Sequence, residues 1–161
     1  MTDMNEKVLK VSGEVDREQQ FSYVDLTKFD SASQVPDVSQ LVPGRTGTAV
    51  TLEGLLAAVG VRSSAAFIGL HSEFDNFHAS VPLAAVRHQG LVIYGMDSQP
   101  LPREKGGPVR FYIPDHAACK TAEVDECANV KFVDHIELTV EKGFDNRPED
   151  EEEHAKLHDH S

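Results

Sequence analysis

The side chains best suited to chemistry gather where glycines let a ligand come close, in Leu101-Pro102-Arg103-Glu104-Lys105-Gly106-Gly107-Pro108-Val109-Arg110. Arg110 offers a forked guanidinium that matches an oxyanion, while Lys105 and the more distant Lys131 offer point charges. Gly106 and Gly107 carry no Cβ, so backbone there can lie against a ligand. A plain turn, followed by a strand whose leading arginine pairs with a structural carboxylate, fits the same residues. His71 closes the apolar run Ala66-Phe67-Ile68-Gly69-Leu70, and His78 follows Phe77. An imidazole at either place can donate to a bound oxyanion or other acceptor, or satisfy a structural neighbour.

A second constellation reads His116-x2-Cys119-x7-Cys127-x7-His135. Two thiolates and two imidazoles suit tetrahedral zinc or a redox iron, with Cys119, Cys127 and His116 as the tighter part of the set. Only the His-x2-Cys step is closely spaced, and no Cys-x2-Cys knuckle is present. A disulfide across the loop and a pair of ordinary small residues are the alternatives, the disulfide being opposed by a reducing compartment. Near the end His154, His158 and His160 offer a loose divalent grip or simply solubilise a tail. The sequence holds no phosphate-binding glycine loop, no Gly-x-Ser-x-Gly elbow and no His-Glu-x-x-His helix.

These residues need a scaffold, and the pattern supplies mixed strands and short helices without repeats. Val8 to Val15 reads as a first strand in which Gly13 marks a bulge or bend. Ser22 caps a short helical turn through Leu26. Leu52, Leu55, Leu56 and Val59 share one helical face, which ends at Gly60. Ala65–Leu70, Leu91–Met96 and Val109–Ile113 read as buried strands, and Pro82–His88 as a short helix opened by proline. Ile136, Leu138 and Val140 alternate with Glu137, Thr139 and Glu141 in a half-buried last strand. Many short strands with few, short helices predict an α+β fold of mixed sheets.

The 161 residues predict one domain over 1–143, with 40% hydrophobic residues for its core and an acidic, His-containing disordered tail over 144–161. From Asp145 to Ser161 there are seven acidic and two basic residues, in a chain of net charge -12. Such a surface repels nucleic acid and anionic lipid, which leaves small molecules as the expected partners. The start Met1-Thr2-Asp3-Met4-Asn5-Glu6 has neither a basic nor an apolar leader segment, and no run reaches the roughly 18 apolar residues of a membrane span. A cytoplasmic address follows as the expectation.

The run Leu101 to Arg110 resembles the Leu-Pro…Gly-Gly-Pro-Val-Arg signature of the sulfite oxidase-like molybdopterin-binding domain family. Gly13-Glu14-Val15 with Phe21-Ser22-Tyr23, Ala49 to Leu56 with Gly60-Val61, Asp75-Asn76-Phe77 with Ser80-Val81-Pro82-Leu83, and Asn129 to Leu138 are similar to its other motifs and fall in the same order. The resemblance covers about residues 8–142. It implies that fold, a molybdopterin cofactor, oxidoreductase chemistry and a cleft built on Arg110, Lys105, Gly106, Gly107, Lys131 and His71. Family members hold molybdenum through a cysteine about ten residues before the Gly-Val-x-Leu helix. Here Val35 to Arg45 contains no cysteine, Gly47 replaces an aromatic, and Lys105 stands where many members carry histidine. A carboxylate or hydroxyl does not replace a thiolate in kind. The expectation is therefore a divergent domain without the usual Mo–Cys centre that binds a pterin or small oxyanion near Arg110. A non-catalytic binding module, or a zinc or iron site on the Cys119–Cys127 loop, is the alternative.

Overall fold

The structure is a computed structural model that describes residues 4–41, 44, 46–74, 76–113 and 130–143. The expected metal loop with His116, Cys119 and Cys127 and the acidic tail lie outside the described residues. Among the described residues two five-stranded sheets carry the fold. The first has β1 (Lys7–Gly13), β2 (Gln19–Ser22), β5 (Phe67–Ser72), β6 (Phe77–Pro82) and β10 (His135–Thr139) in the order β2-β1-β10-β5-β6. All its pairs are antiparallel except β1 with β10, which run parallel. The second has β3 (Gln34–Val35), β4 (Thr48–Thr51), β7 (Leu91–Met96) and β8 (Gln99–Pro100), with β9 (Arg110–Tyr112) also pairing with β7. Among the described residues three short α-helices complete it: α1 (Tyr23–Thr27), α2 (Leu52–Val59) and α3 (Leu83–Val86). The fold is α+β with mixed sheets and few helices, as the pattern predicts.

Burial explains why these segments are strands. In the first sheet Leu9 and Val11, Ile136 and Leu138, Ile68 and Leu70, and Val81 point inward and are essentially fully buried. Their neighbours Lys10, Glu137, His71 and His78 fall on the opposite face, by the two-residue alternation of a strand. The second sheet is covered on both faces. Val50, Val92, Tyr94 and Phe111 join the main core with the Leu52, Leu55, Leu56 and Val59 face of α2. Val38, Ala49, Leu91, Ile93, Leu101 and Tyr112 form a smaller apolar cluster behind it. That is why β7 reads as a continuous apolar run rather than an alternating one.

Local signals act as expected at two ends. Ser22 accepts the Asp25 backbone N–H while the Asp25 carboxylate accepts the Ser22 N–H, a reciprocal capping box at α1. Gly60 closes α2 in the left-handed region. The chain bends at Gly13, where β1 ends with a φ of 94°, and the ladder of β1 with β2 has a further irregularity between Lys7 and Leu9. One detail differs from the sequence reading. Val140 is 51% exposed, because β10 ends at Thr139, whose hydroxyl donates to Glu141 O at 2.6 Å and bends the chain. Among the described residues no helix is long and apolar enough to cross a membrane.

Lys7 Nζ lies 2.6 Å from Asp25 Oδ2. Its hydrogen bond, with that of the Ser22 backbone, holds the Asp25 carboxyl down at about 2 from an ordinary 3.8. A carboxyl held below its unfolded value stabilises the fold above the unfolded pKa, and this contribution is lost as pH falls through the folded pKa. Acid unfolding followed by circular dichroism should therefore lose stability between about pH 4 and pH 2. The Asp25→Asn variant should be less stable at pH 7 and show a flatter dependence in that window.

Candidate functional site

The glycine-rich turn is fixed by contacts of its own. A single 3₁₀ turn over Arg103–Lys105 ends at Gly106, whose φ of 97° suits glycine and whose N–H donates to Arg103 O. Gly107 N–H donates to Pro102 O at 2.9 Å. A Cβ at Gly107 would overlap the carbonyl of Leu101, so this glycine serves backbone packing. The Gly107–Pro108 peptide is cis. The chain then enters β9, where Arg110 pairs with Ile93. A Cβ on Gly106 would stand 3.0 Å from Arg110 Cδ and 3.3 Å from Lys131 Cγ, so both cationic side chains cross the space that this glycine leaves open.

Arg110 and Lys105 line a cavity of about 150 Å³ with Glu104, Gly44, Thr46, Ile93 and Leu101. Arg110 also donates a long bond, 3.5 Å, to Lys105 O. A groove of about 570 Å³ shares Thr46 and Lys105 with that cavity and continues past Asp37, Ser39 and Ser98. Asp37 accepts from the Ser39 hydroxyl at 2.6 Å and the Ser39 N–H at 3.0 Å, which together hold its carboxyl below the usual range. The combined site thus has an end where Lys105 and Arg110 stand with Glu104, and an anionic wall at Asp37. Its side chains offer donors to an anion at Arg110 and an acceptor at Asp37.

The run Val130–Asp134 ties this site to the first sheet. Phe111 N–H donates to Val130 O, Phe132 N–H to Gly106 O, Val133 N–H to Val109 O and Asp134 N–H to His71 O, all between 2.8 and 3.0 Å. Val130 and Val133 are buried, and Lys131 between them reaches Gly106. Phe132 has φ 56°, an uncommon conformation for an aromatic residue, and its ring packs 4.9 Å from that of Phe74. The Arg103 guanidinium lies 4.3 Å over the Phe74 ring.

His71 belongs to a different place. It pairs across the strands with His78 on one side and His135 on the other, and His135 pairs with Lys10. His71, His78, His135, Lys10, Glu73 and Asp134 line an open cavity of about 510 Å³ on the outer face of the first sheet. The ring centroids of His78 and His135 lie 5.0 and 5.3 Å from that of His71. Ser12 Oγ lies 2.6 Å from His135 Nε2. Burial and the neighbouring His71 push His78 and His135 below the ordinary imidazole range, against the pull of Asp134 on both, Glu73 on His78 and Glu137 on His135.

Of the residues singled out from sequence, Lys105, Gly106, Arg110 and Lys131 come together. Gly107 supports the turn from behind, and His71 lines the separate cavity. The groove residues Thr46, Asp37 and Ser39 were not legible as ligands, because their approach to Lys105 depends on the sheet's register. The histidine row did leave a signal. His71 and His78 flank a four-residue turn between two strands, which sets them opposite one another in a hairpin.

Residues 45–146, more than half of the chain, match the family model described as oxidoreductase molybdopterin binding domain. The sulfane dehydrogenase SoxCD from Paracoccus pantotrophus has a similar fold, with a TM-score of 0.64 at 15% identity. The match covers 88% of this chain and 40% of that one, so the chain spans less than half of the SoxCD chain's length. No curated protein matches the chain in sequence.

Gly107→Ala forces a Cβ into the Leu101 carbonyl, so the turn carrying Lys105 and Arg110 must shift. A loss of about 3 kcal/mol is expected in urea unfolding. Gly143→Ala, where an added Cβ meets nothing closer than 3.8 Å, should change stability by less than about 0.5 kcal/mol.

Proposed function

The chain belongs to the oxidoreductase molybdopterin binding domain family, and we propose that it binds a pterin cofactor or a small oxyanion in the Arg110 cleft without the usual Mo–Cys centre. One observation supports this above others: Arg110 and Lys105 line one cavity, beside a glycine that leaves room, in a chain of net charge -12. Two cations turned into one recess of an acidic protein make a local focus for an anion. The residues fit a pterin that carries a terminal phosphate. Arg110 and Lys105 would hold the phosphate, with Lys131 alongside Gly106, and the Asp37 carboxylate would accept from the amino-pyrimidine edge. A small oxyanion would use the Lys105 and Arg110 end alone.

A molybdenum-loaded molybdopterin supplies oxygen-atom transfer when bound. The chain's own residues bind and orient: Arg110 fixes an oxyanion by two parallel N–H bonds, and Thr46 offers a hydroxyl at the junction of cavity and groove. The segment Val35 to Arg45 carries no thiol, so any metal on the cofactor would lack the soft ligand that relatives supply there. The domain is a cytoplasmic binding module under this reading, and catalysis needs a metal held some other way.

The test is to prepare the full chain from a host that makes molybdopterin, release bound pterin by oxidation, and measure its fluorescence against protein. Close to one pterin per chain is expected, with molybdenum well below it. Arg110→Met should lower the pterin content about tenfold, the loss of a charge-assisted pair. Pterin-free protein that also fails to bind molybdate or sulfate would overturn the reading, as would retention unchanged in Arg110→Met.

A further inference from the structure

The outer face of the first sheet carries a row of side chains that the Arg110 cleft does not use. Lys10, His135, His71 and His78 stand side by side on β1, β10, β5 and β6. His71 is only 8% exposed, although it sits on the face turned away from the core. Its ring leans over Gly69, where a Cβ would come within 2.8 Å of His71 Nε2. From there Nε2 donates to Glu137 Oε1 at 3.2 Å. The carboxylate can only accept, so Nε2 carries the proton of neutral His71 and Nδ1 carries the lone pair. That lone pair faces His78 Nδ1 at 2.8 Å.

We propose that His71 Nδ1 and His78 Nδ1 form a two-imidazole site for a divalent transition ion such as Zn²⁺, with solvent completing its coordination and Glu137 orienting His71. Two nitrogens at about 2.0–2.1 Å from a zinc ion stand about 3.0–3.4 Å apart. The pair therefore has to open by about half an ångström, and both rings have to turn so that their Nδ1 lone pairs converge on the ion. Carboxylate to histidine to metal is the arrangement by which a ligating imidazole is fixed in tautomer and direction. His78 is held toward its neutral form by burial, the state a metal needs. On binding, its ring proton moves from Nδ1 to Nε2, so no net proton is released. Glu73 and Asp134 line the cavity beside the pair and favour a cation, against Lys10 alone among the lining residues. Among the described residues no group of three or more His, Cys, Asp and Glu side chains is placed to hold a metal ion, so the protein supplies two ligands and solvent the rest. The site is accordingly open and exchangeable rather than structural. It shares no lining residue with the Arg110 cavity, so it stands or falls independently of the pterin reading.

The experiment is a ZnCl₂ titration of the full chain, read by NMR of the imidazole nitrogens and by equilibrium dialysis. The Nδ1 signals of His71 and His78 should shift together within the first equivalent. His78→Gln, at a half-buried position, should abolish that equivalent, and Glu137→Gln should weaken it about tenfold. Cys119→Ser with Cys127→Ser, and replacement of His154, His158 and His160, should leave it in place. A first equivalent that shifts only tail histidines, disappears with the cysteines, or survives in His78→Gln would overturn the proposal. The wild-type NMR shifts decide the matter even if a variant fails to fold.

Discussion

Five backbone hydrogen bonds of Val130–Asp134 hold the two sheets and their two sites in one frame. The strap accepts from Phe111 on β9 and Lys10 on β1 and donates to Gly106, Val109 and His71, so one short segment touches the glycine turn, the arginine strand, the first strand and the histidine strand. Each such bond contributes about 1 kcal/mol net, but an unmade one would leave a buried polar group at greater cost. Val130 and Val133 anchor the strap in the core. Phe132 adopts φ 56° at a cost of about 1–3 kcal/mol. Its bond to Gly106 and the stacked Phe74 and Arg103 offset that cost, and the twist aims Lys131 at Gly106.

The consequence is a division of charge in an acidic molecule. On one side of the strap, cations collect at a recess that glycine leaves open, with Asp37 kept anionic at the far wall. On the other side, three imidazoles collect among carboxylates on a sheet face, with burial pushing His78 and His135 below the ordinary imidazole range. The first environment favours anions and the second favours cations. The chain's overall negative charge sharpens the first by contrast and supplies the second with its carboxylates.

Much of this frame was legible in the residues. Ser22 with Asp25, the Leu52–Val59 face ending at Gly60, and the Leu91–Met96 run each carry a local cause strong enough to survive tertiary packing. The Gly-Gly-Pro-Val-Arg run led to Arg110 and Lys105 because its glycines and cations are adjacent in sequence. What the residues did not reveal depends on register between distant strands. His135 lies 64 positions from His71 and meets it only because β10 pairs with β5. Its alternation in β10 was readable, but the identity of the neighbouring strand was not. Val140 fits the apolar alternation and still lies outside the sheet, because the Thr139 hydroxyl bends the backbone first.

Amide hydrogen exchange on the full chain tests most directly whether the strap carries both sites. The amides of Phe111, Phe132, Val133 and Asp134 are donors in four of its five bonds, and protection equal to that of the β5 and β10 amides is the expected result. Exchange of these four at the rate of exposed turns, while β5 and β10 stay protected, would contradict the account. It would mean that the arginine cleft and the histidine row are held by their own sheets and not by one shared segment.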